Sequence, residues 1–235
     1  MINQVLRKEK KFLLQQQEFF LLKNRLAKVL PGDPHNGPLG YPVRSLYFDT
    51  IYDKDFFEKL DGVELRRKIR LRCYSPESEF AMLEIKQKQG ELQLKRSLRV
   101  EREDAMRLAK GDYSPLLKYR GDRADFALEC YAIMNKFCYL PKTIVEYQRM
   151  AYIAKENKIR ITFDQNIVST ESVMELFSPC LIMNPVMDKA LVVLEVKYNH
   201  FLLGYIQQIL NKADRSEVSV SKYYLARQNA YRTHL

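Results

Sequence analysis

Basic side chains alternate with apolar ones in residues 63–75, a segment whose sequence is typical of a β-strand. Its even-numbered positions include Lys68, Arg70 and Arg72, whereas most odd-numbered positions are Leu, Ile or Cys. Since successive side chains of a strand point to opposite faces, this spacing places the cations together on one face. Arg and Lys both bind phosphate oxygens, so such a face suits a polyanion.

Other segments repeat this alternation, and a few carboxylates accompany their cations. The side chains concerned are Glu9 and Lys11, Glu84, Lys86 and Lys88, Lys95, Arg160, and Glu195 with Lys197. One interpretation is a half-buried antiparallel sheet whose polar face is solvated. The other is a sheet that curls until its polar face lines an interior passage. The density of Arg and Lys favours the passage, and apolar stripes of neighbouring helices can cover the opposite face.

Electrostatic repulsion limits how such a passage can be built. Two unpaired cations about 6 Å apart repel by roughly 3 kcal/mol at an effective dielectric constant of about 20. A passage lined by many cations therefore needs either the interspersed carboxylates or a bound anion, and we expect phosphate or a similar ion to occupy it.

The overall charge balance also indicates an anionic partner. The 235 residues include 39 Lys and Arg against 29 Asp and Glu, which gives a formal net charge of +10. This excess favours nucleic acid, a membrane surface or a phosphorylated small molecule as the partner. No recognised RNA-binding motif accompanies the aromatic residues, which disfavours nucleic acid.

Several common chemistries are disfavoured by residue usage. The three histidines, His35, His200 and His234, lie far apart in the sequence, which argues against a histidine metal site or a Ser/His/Asp triad. The four cysteines form no CxxC pair, and neither GxxxxGK nor GxGxxG occurs. Any phosphate must therefore be bound by side chains.

The sequence shows no signal peptide and no membrane-spanning segment. Its longest apolar run covers only residues 190–194, whereas roughly 18 to 20 apolar residues are needed to cross a bilayer. We expect a soluble cytoplasmic protein with reduced cysteines.

The hydrophobic pattern predicts an α+β fold in one domain spanning residues 1–235. Strands are expected at 7–14, 43–50, 63–75, 80–89, 92–102, 143–154, 158–168 and 190–199, and helices at 16–29, 53–60, 104–108, 123–137, 201–212 and 222–231. Short turns between neighbouring strands, such as residues 89–91, favour antiparallel hairpins over parallel crossovers. The pattern therefore predicts a mainly antiparallel α+β protein.

Nine short motifs in this order resemble those of a known family. They are RKEKKF at 7–12, SLYFD at 45–49, KIRLRCY at 68–74, LEIK at 83–86, KR at 95–96, YQRMAY at 147–152, KIRITFD at 158–164, VLEVKY at 193–198 and VSKYY at 220–224. Together they resemble the VTC domain, the polyphosphate polymerase domain of the vacuolar transporter chaperone complex and a member of the triphosphate tunnel metalloenzyme superfamily.

The resemblance implies an antiparallel β-barrel that forms a basic tunnel, with the helices packed outside, and specific roles for the charged residues. The catalytic residues would be Arg70, Arg72, Lys86, Arg149 and Arg160; the phosphate-binding residues would be Lys11, Lys95 and Lys222, to which we add Lys88 and Lys197 from the same strand faces. Glu195 and Glu9 would hold a divalent metal ion. The alternative for Glu195 is a salt bridge to Lys197 or to another cation of the tunnel.

The resemblance further implies a metal-dependent polyphosphate polymerase. It would use Mn²⁺ or Mg²⁺ to transfer the γ-phosphate of ATP, or of another nucleoside triphosphate, to phosphate, pyrophosphate or a polyphosphate chain. The alternatives are a tripolyphosphatase or nucleoside triphosphatase on the same fold, and a polyphosphate-binding subunit without turnover. A membrane-protein partner, which would bring the protein to the inner face of a membrane, is also implied.

Two positions depart from the motifs of the superfamily. Its hydrolases begin with ExExK, whereas Arg7 stands at the first of these positions here, which favours the polymerase branch. Eukaryotic polymerases tend to carry a lysine three residues before the one matched by Lys222, whereas this chain has Ser219. This second departure leaves phosphate binding better supported than turnover.

Overall fold

A large antiparallel sheet organises the protein, as seen in a computed structural model that describes residues 8–90, 92–210 and 217–233. Within these residues the strands are β1 (Lys8–Gln15), β2 (Tyr41–Thr50), β3 (Leu65–Cys73), β4 (Phe80–Gln89), β5 (Leu92–Glu101), β6 (Tyr139–Ala154), β7 (Ile159–Thr170), β8 (Asn184–Pro185) and β9 (Leu191–Tyr198). Their order is β1-β9-β7-β6-β2-β3-β4-β5, and the short β8 pairs with β7. The α+β class predicted from the sequence is confirmed.

Helices occupy the connections between the strands. They are α1 (Gln16–Ala27), α2 (Lys54–Leu60), α3 (Arg102–Leu108), α4 (Ala124–Lys136), α5 (Gly204–Leu210) and α6 (Lys222–Thr233). Each observed helix overlaps the helix predicted for its segment. The predicted helix over 201–212 extends into residues 211–216, which lie outside the described part of the chain, as does Arg7 at the start of the first predicted strand. None of the helices in the described ranges is long and apolar enough to span a bilayer.

The apolar face of the sheet is covered by helices. On β3, Ile69 and Leu71 are fully buried and belong to one core with Phe126 and Cys130 of α4. On the other half of the sheet, helix α1 packs its apolar residues against β7 and β9, and the Phe19 ring meets the Phe163 ring edge-on at 5.1 Å. The helices therefore leave the opposite, charged face of the sheet to line the interior.

The sheet is strongly curled toward its charged face. Strands β1 and β4 are six strand spacings apart in the sheet order, which would be about 29 Å if the sheet were flat. Yet the Nζ atom of Lys86 on β4 lies 2.9 Å from a carboxylate oxygen of Glu9 on β1. The charged side chains of distant strands thus face one another across an interior space.

Closure of the sheet into a barrel, which the family resemblance implied, is not observed. Among the described residues, no backbone pairing joins the two edge strands, β1 and β5. Residues 217–221 instead cover part of the free edge of β1, where the backbone N–H of Val218 donates to the carbonyl oxygen of Lys11 at 2.9 Å. The interior is therefore enclosed by a curled open sheet together with this C-terminal segment.

A buried carboxyl pair at the start of α2 makes stability depend on pH. Asp49 accepts hydrogen bonds from the backbone N–H groups of Asp55 and Phe56, both at 2.9 Å, and Asp55 accepts one from the Tyr139 hydroxyl at 2.9 Å. Burial, together with the negative charge of Asp49, raises the pKa of Asp55 to about 8. The folded protein therefore keeps a proton on Asp55 that the unfolded chain releases above about pH 4.

We expect Asp55→Asn to be more favourable at pH 8 than at pH 5. The contribution of Asp55 to stability falls as the pH rises from about 4 to about 8, because the unfolded state binds fewer protons in that range. Because the amide of the variant does not titrate, the variant avoids this loss of unfolding free energy, which is on the order of 1 to 3 kcal/mol at pH 8. Urea unfolding at both pH values measures it, with Asp125→Asn on the exposed face of α4 as control. Parallel shifts of wild type and Asp55→Asn would contradict the assignment.

Candidate functional site

A basic cavity occupies the interior face of the curled sheet. Of the described residues that line it, twelve are Lys or Arg and two are Glu. The cations are Lys11, Lys59, Arg66, Arg67, Lys68, Arg70, Arg72, Lys86, Lys88, Arg149, Lys197 and Lys222, and the carboxylates are Glu9 and Glu195. The sequence interpretation in which the polar strand faces are simply solvated is therefore wrong.

The cavity collects all but two of the site residues predicted from the sequence. The exceptions are Arg160 and Lys95, which do not line it. Arg160 donates to Asp33 at 2.6 Å and to the Tyr41 hydroxyl at 2.9 Å. Lys95 donates to Glu84 at 2.6 Å. Both cations therefore pair with a carboxylate outside the cavity lining.

A buried glutamate fixes the arginine in the middle of β3. The Nε and Nη2 atoms of Arg70 lie 2.7 and 2.6 Å from one oxygen of Glu84, which is the residue opposite Arg70 on β4. Burial alone would raise the pKa of Glu84, but Arg70 and Arg72 hold it well below its usual range. Arg72 itself donates to two neutral groups, the hydroxyls of Ser45 and Tyr147, each at 3.1 Å. Its charge is therefore available to an anion.

A second buried carboxylate fixes Arg149 and Lys222. Asp164 is fully buried and accepts two hydrogen bonds from Arg149, at 2.7 and 2.8 Å. Lys222 at the start of α6 reaches the same carboxylate at 2.6 Å. Burial raises the pKa of Asp164, but Arg149 and Lys222 outweigh it and lower the value to about 2. Asp164 is therefore an ionised counter-charge behind the cavity wall.

The two carboxylates predicted to bind metal lie together among lysines. Glu9 contacts Lys86 at 2.9 Å and Lys11 at 3.0 Å, while Glu195 contacts Lys197 at 3.1 Å. Burial raises the pKa of Glu195, yet the nearby ammonium groups of Lys197 and Lys11 hold it well below its usual range. The salt bridge to Lys197 that the sequence left as an alternative for Glu195 is thus present.

The possible metal ligands suit an ion that binds together with phosphate better than an ion that is coordinated by protein side chains alone. No group of three or more His, Cys, Asp or Glu side chains that could hold a metal exists in the described ranges. Glu9 and Glu195 supply two carboxylates, and the buried hydroxyl of Thr162, whose Cα pairs with that of Glu195, has no hydrogen-bond partner. Mg²⁺ suits such a site, because it commonly takes one or two carboxylates and completes its shell with water and phosphate oxygens.

The C-terminal segment contributes hydroxyls and a carbonyl to the cavity. Lys59 on α2 donates to the Ser219 hydroxyl at 2.7 Å, and Lys68 donates to the Ser221 hydroxyl. Lys11 donates to the carbonyl oxygen of Val220 at 3.0 Å. The position at which the sequence lacks an expected lysine is thus contacted by a lysine from another element.

Several residues of the site escaped the sequence prediction. Glu84 stands on the predicted charged face of β4 and Asp164 shares the parity of Arg160 on β7, but their roles depend on which residues lie opposite them. Lys59 carried no such signal, because it lies on the short helix α2. Neither His35 nor His200 lines the cavity, and His234 lies outside the described residues.

Comparisons with known proteins address both family and fold. The model of the VTC domain family matches residues 6–231. No curated protein matches the chain in sequence. A solved structure from Hippeastrum, named as a candidate adenylyl cyclase with a dominant triphosphatase activity, is 13% identical over 97% of this chain and 96% of its own, with a TM-score of 0.54.

A second solved structure extends the fold comparison. It is a candidate adenylate cyclase from Vibrio parahaemolyticus that is 9% identical over 95% of this chain and 98% of its own, with a TM-score of 0.50. At such low identities both likenesses concern the fold alone.

We expect Asp164→Asn to destabilise the protein by about 3 kcal/mol, because it leaves the buried charges of Arg149 and Lys222 without their counter-charge. The free energy of unfolding in urea at pH 7 measures this. The matched control is Glu101→Gln, which removes an exposed partner 3.6 Å from Arg99. An exposed pair contributes less than about 1 kcal/mol. Equal small losses in both variants would show that Asp164 is not the main compensating charge.

Proposed function

This chain belongs to the VTC domain family, and we propose that it is a metal-dependent phosphotransferase that makes polyphosphate. It transfers the γ-phosphate of ATP to phosphate or to the end of a polyphosphate chain inside the basic cavity. The observation that carries this proposal is the cavity lining, in which twelve cations face two carboxylates among the described residues. A lining with that excess suits a ligand that is a polyanion along its whole length.

The cavity supplies what phosphoryl transfer needs most. The reaction depends chiefly on the alignment of donor and acceptor and on stabilisation of charge on the transferred group. Arg70 and Arg149 are each held by a buried carboxylate on a neighbouring strand, so their guanidinium groups are oriented before the substrate binds. Such preorganised cations stabilise charge in the transition state without reorganising.

Transfer to a phosphate acceptor is compatible with a described lining that contains no histidine. A water molecule must lose a proton when it attacks, which calls for a base or a strongly activating metal. A terminal phosphate oxygen is already ionised near neutral pH, so it can attack without a protein base. The lysines and arginines of the cavity then serve to bring two anions together.

The metal ion would be held by Glu195 and Glu9. When bound together with ATP, a divalent ion neutralises charge on the phosphate oxygens. Carboxylate oxygen ligands favour Mg²⁺ or Mn²⁺ over softer metals. Lys11, Lys86 and Lys197 already contact these carboxylates, so they are placed to bind the phosphates that accompany the ion.

A triphosphatase is the second candidate function. The solved structure from Hippeastrum shares the fold, and its name states a dominant triphosphatase activity. On this scaffold, hydrolysis follows if water reaches the γ-phosphate in place of a phosphate acceptor. The products distinguish the two reactions: chains of phosphate indicate a polymerase, and free phosphate indicates a hydrolase. Tight binding with neither product would indicate a polyphosphate-binding subunit.

We expect Arg70→Ala and Lys86→Ala each to reduce polyphosphate synthesis by about 100-fold, because each removes a preorganised cation from the transferred phosphate. Incubation with ATP and Mn²⁺, followed by gel separation of the products, measures chain formation. The control is Lys110→Ala, which removes an exposed charge outside the cavity. Synthesis at the wild-type level in both cavity variants would refute their role.

We expect Glu195→Gln to raise the Mn²⁺ concentration needed for half-maximal activity by about 10-fold or more, because one of two carboxylate ligands is lost. Titration of activity with Mn²⁺ at saturating ATP, supported by electron paramagnetic resonance of the bound ion, tests this. Glu103→Gln on the exposed face of α3 is the control. An unchanged Mn²⁺ dependence would remove Glu195 from the metal site.

A further inference from the structure

Two of the nine motifs contain a buried residue that has no part in the chemistry described above. Asp49 ends the motif at 45–49, and Tyr223 lies within the motif at 220–224. Neither is among the described residues that line the cavity. The Tyr223 hydroxyl nevertheless donates to the Asp49 carboxylate at 2.5 Å, across 174 positions of the sequence. The two motifs therefore meet at one buried hydrogen bond that joins α6 to β2.

The backbone at the start of α2 orients the carboxylate of Asp49, which is fully buried. One of its oxygens accepts from the backbone N–H groups of Thr50 and Asp55, at 2.7 and 2.9 Å, and the other accepts from that of Phe56 at 2.9 Å. Burial, together with the charge of Asp49, raises the pKa of the Tyr223 hydroxyl, so this hydroxyl keeps its proton and is the donor. Asp49 is thus a fixed point to which α6 attaches.

The ring of Tyr223 is held as well as its hydroxyl. The ring is buried and stacks on the Tyr47 ring, with centroids 5.3 Å apart and planes 28° apart. The Tyr47 hydroxyl in turn accepts a hydrogen bond from Arg70 at 3.1 Å. Because both ends of the Tyr223 side chain are fixed, the first turn of α6 is fixed with them.

The residue that precedes Tyr223 is the cavity cation Lys222. Successive side chains of a helix point about 100° apart, so the direction of one determines the direction of the next. With Tyr223 directed at Asp49, Lys222 is turned into the cavity. There its Nζ atom lies 2.6 Å from Asp164 and 4.6 Å from the centre of the Tyr147 ring. A rotation of this turn would withdraw Lys222 from the cavity.

The far end of α6 has a hydrogen bond of the same kind. The Tyr231 hydroxyl donates to Asp53 at 2.6 Å, and Arg227 contacts Asp53 and Glu171, each at 2.6 Å. Tyr231 follows Tyr223 by about 12 Å along the helix axis. Since these contacts hold the rest of the helix, loss of the Tyr223 hydroxyl should disturb the first turn and leave α6 attached.

We propose that Asp49 is a positioning residue for the cavity: through Tyr223 it fixes the first turn of α6, so that Lys222 reaches the bound phosphates. This inference rests on the proposed function, because it requires Lys222 to bind a phosphate of the substrate. Asp49 and Tyr223 do not touch that substrate themselves. Their contribution to binding therefore depends on Lys222.

The variant Tyr223→Phe removes the donor to Asp49 and keeps the stacked ring. Binding of inorganic tripolyphosphate is measured by calorimetry with this change in the wild-type background and in Lys222→Gln, which keeps a hydrogen-bonding side chain beside Asp164. A charge-assisted hydrogen bond corresponds to about a tenfold change in affinity. We expect Tyr223→Phe to weaken binding by about fivefold or more in the wild-type background, but by less than about twofold in Lys222→Gln, because residues that act through one another are not additive.

The matched control is Tyr231→Phe, which removes a hydroxyl from the same helix and should change the affinity by less than about twofold in either background. Equal weakening by Tyr223→Phe in both backgrounds would mean that Tyr223 does not act through Lys222, and would overturn the proposal. Unchanged affinity in the wild-type background would overturn it as well. If wild-type protein binds tripolyphosphate but makes no polyphosphate, the proposed polymerase activity fails, while the binding comparison still decides the role of Asp49. Wild-type protein that does not bind tripolyphosphate would overturn both.

Amide hydrogen exchange tests the position of the first turn without a ligand. The backbone N–H of Leu225 donates to the carbonyl oxygen of Ser221 at 2.9 Å, which closes this turn. We expect Tyr223→Phe to accelerate exchange of the Leu225 amide by about tenfold, and Tyr231→Phe to leave it unchanged, because local opening reports local stability. The same exchange rate in wild type and Tyr223→Phe would show that the hydroxyl does not fix the turn, and would contradict the proposal.

Discussion

Charge compensation within the curled sheet is the constraint on which the rest of the structure depends. In the part of the chain that the structure describes, twelve cations face one interior space, and each buried cation is costly unless a counter-charge lies nearby. The strand register provides it directly: Glu84 is the cross-strand neighbour of Arg70, and Asp164 is the cross-strand neighbour of Arg149. Each of these carboxylates thus neutralises and orients a cation of the cavity wall. The part of the cation that faces the cavity can then bind a ligand.

Strand alternation made the cavity lining predictable, because it is a local property of the sequence. The faces of β3, β4 and β9 follow from the parity of Arg70, Lys86 and Glu195 alone. The alternation does not show which residue pairs with each charged side chain. Arg160 shares the alternation of β7, yet its side chain binds Asp33, which lies 127 positions earlier in a loop. Such a pairing depends on the path of the chain in three dimensions.

Closure of the sheet was the other feature beyond the reach of the sequence. A barrel requires the two edge strands to meet in register, and the alternation is the same whether they meet or not. The contribution of α2 could not be predicted either. Lys59 lies on a helix of only seven residues, and its sequence pattern does not show which side of the helix faces the cavity. Tertiary packing determines which elements outside the sheet contact the site.

The open edge of β1 has a mechanical consequence. In a closed barrel a continuous ladder of backbone hydrogen bonds fixes the circumference, and with it the bore. Here the gap between β1 and β4 is spanned by the ion pair of Glu9 and Lys86 and flanked by one backbone hydrogen bond to Val218. The ion pair therefore helps to set the width of the cavity, together with the hydrogen bonds of residues 217–221 to Lys11, Lys59 and Lys68. A polyanion that draws Lys86 away from Glu9 acts on one of the contacts that limit how wide the passage is.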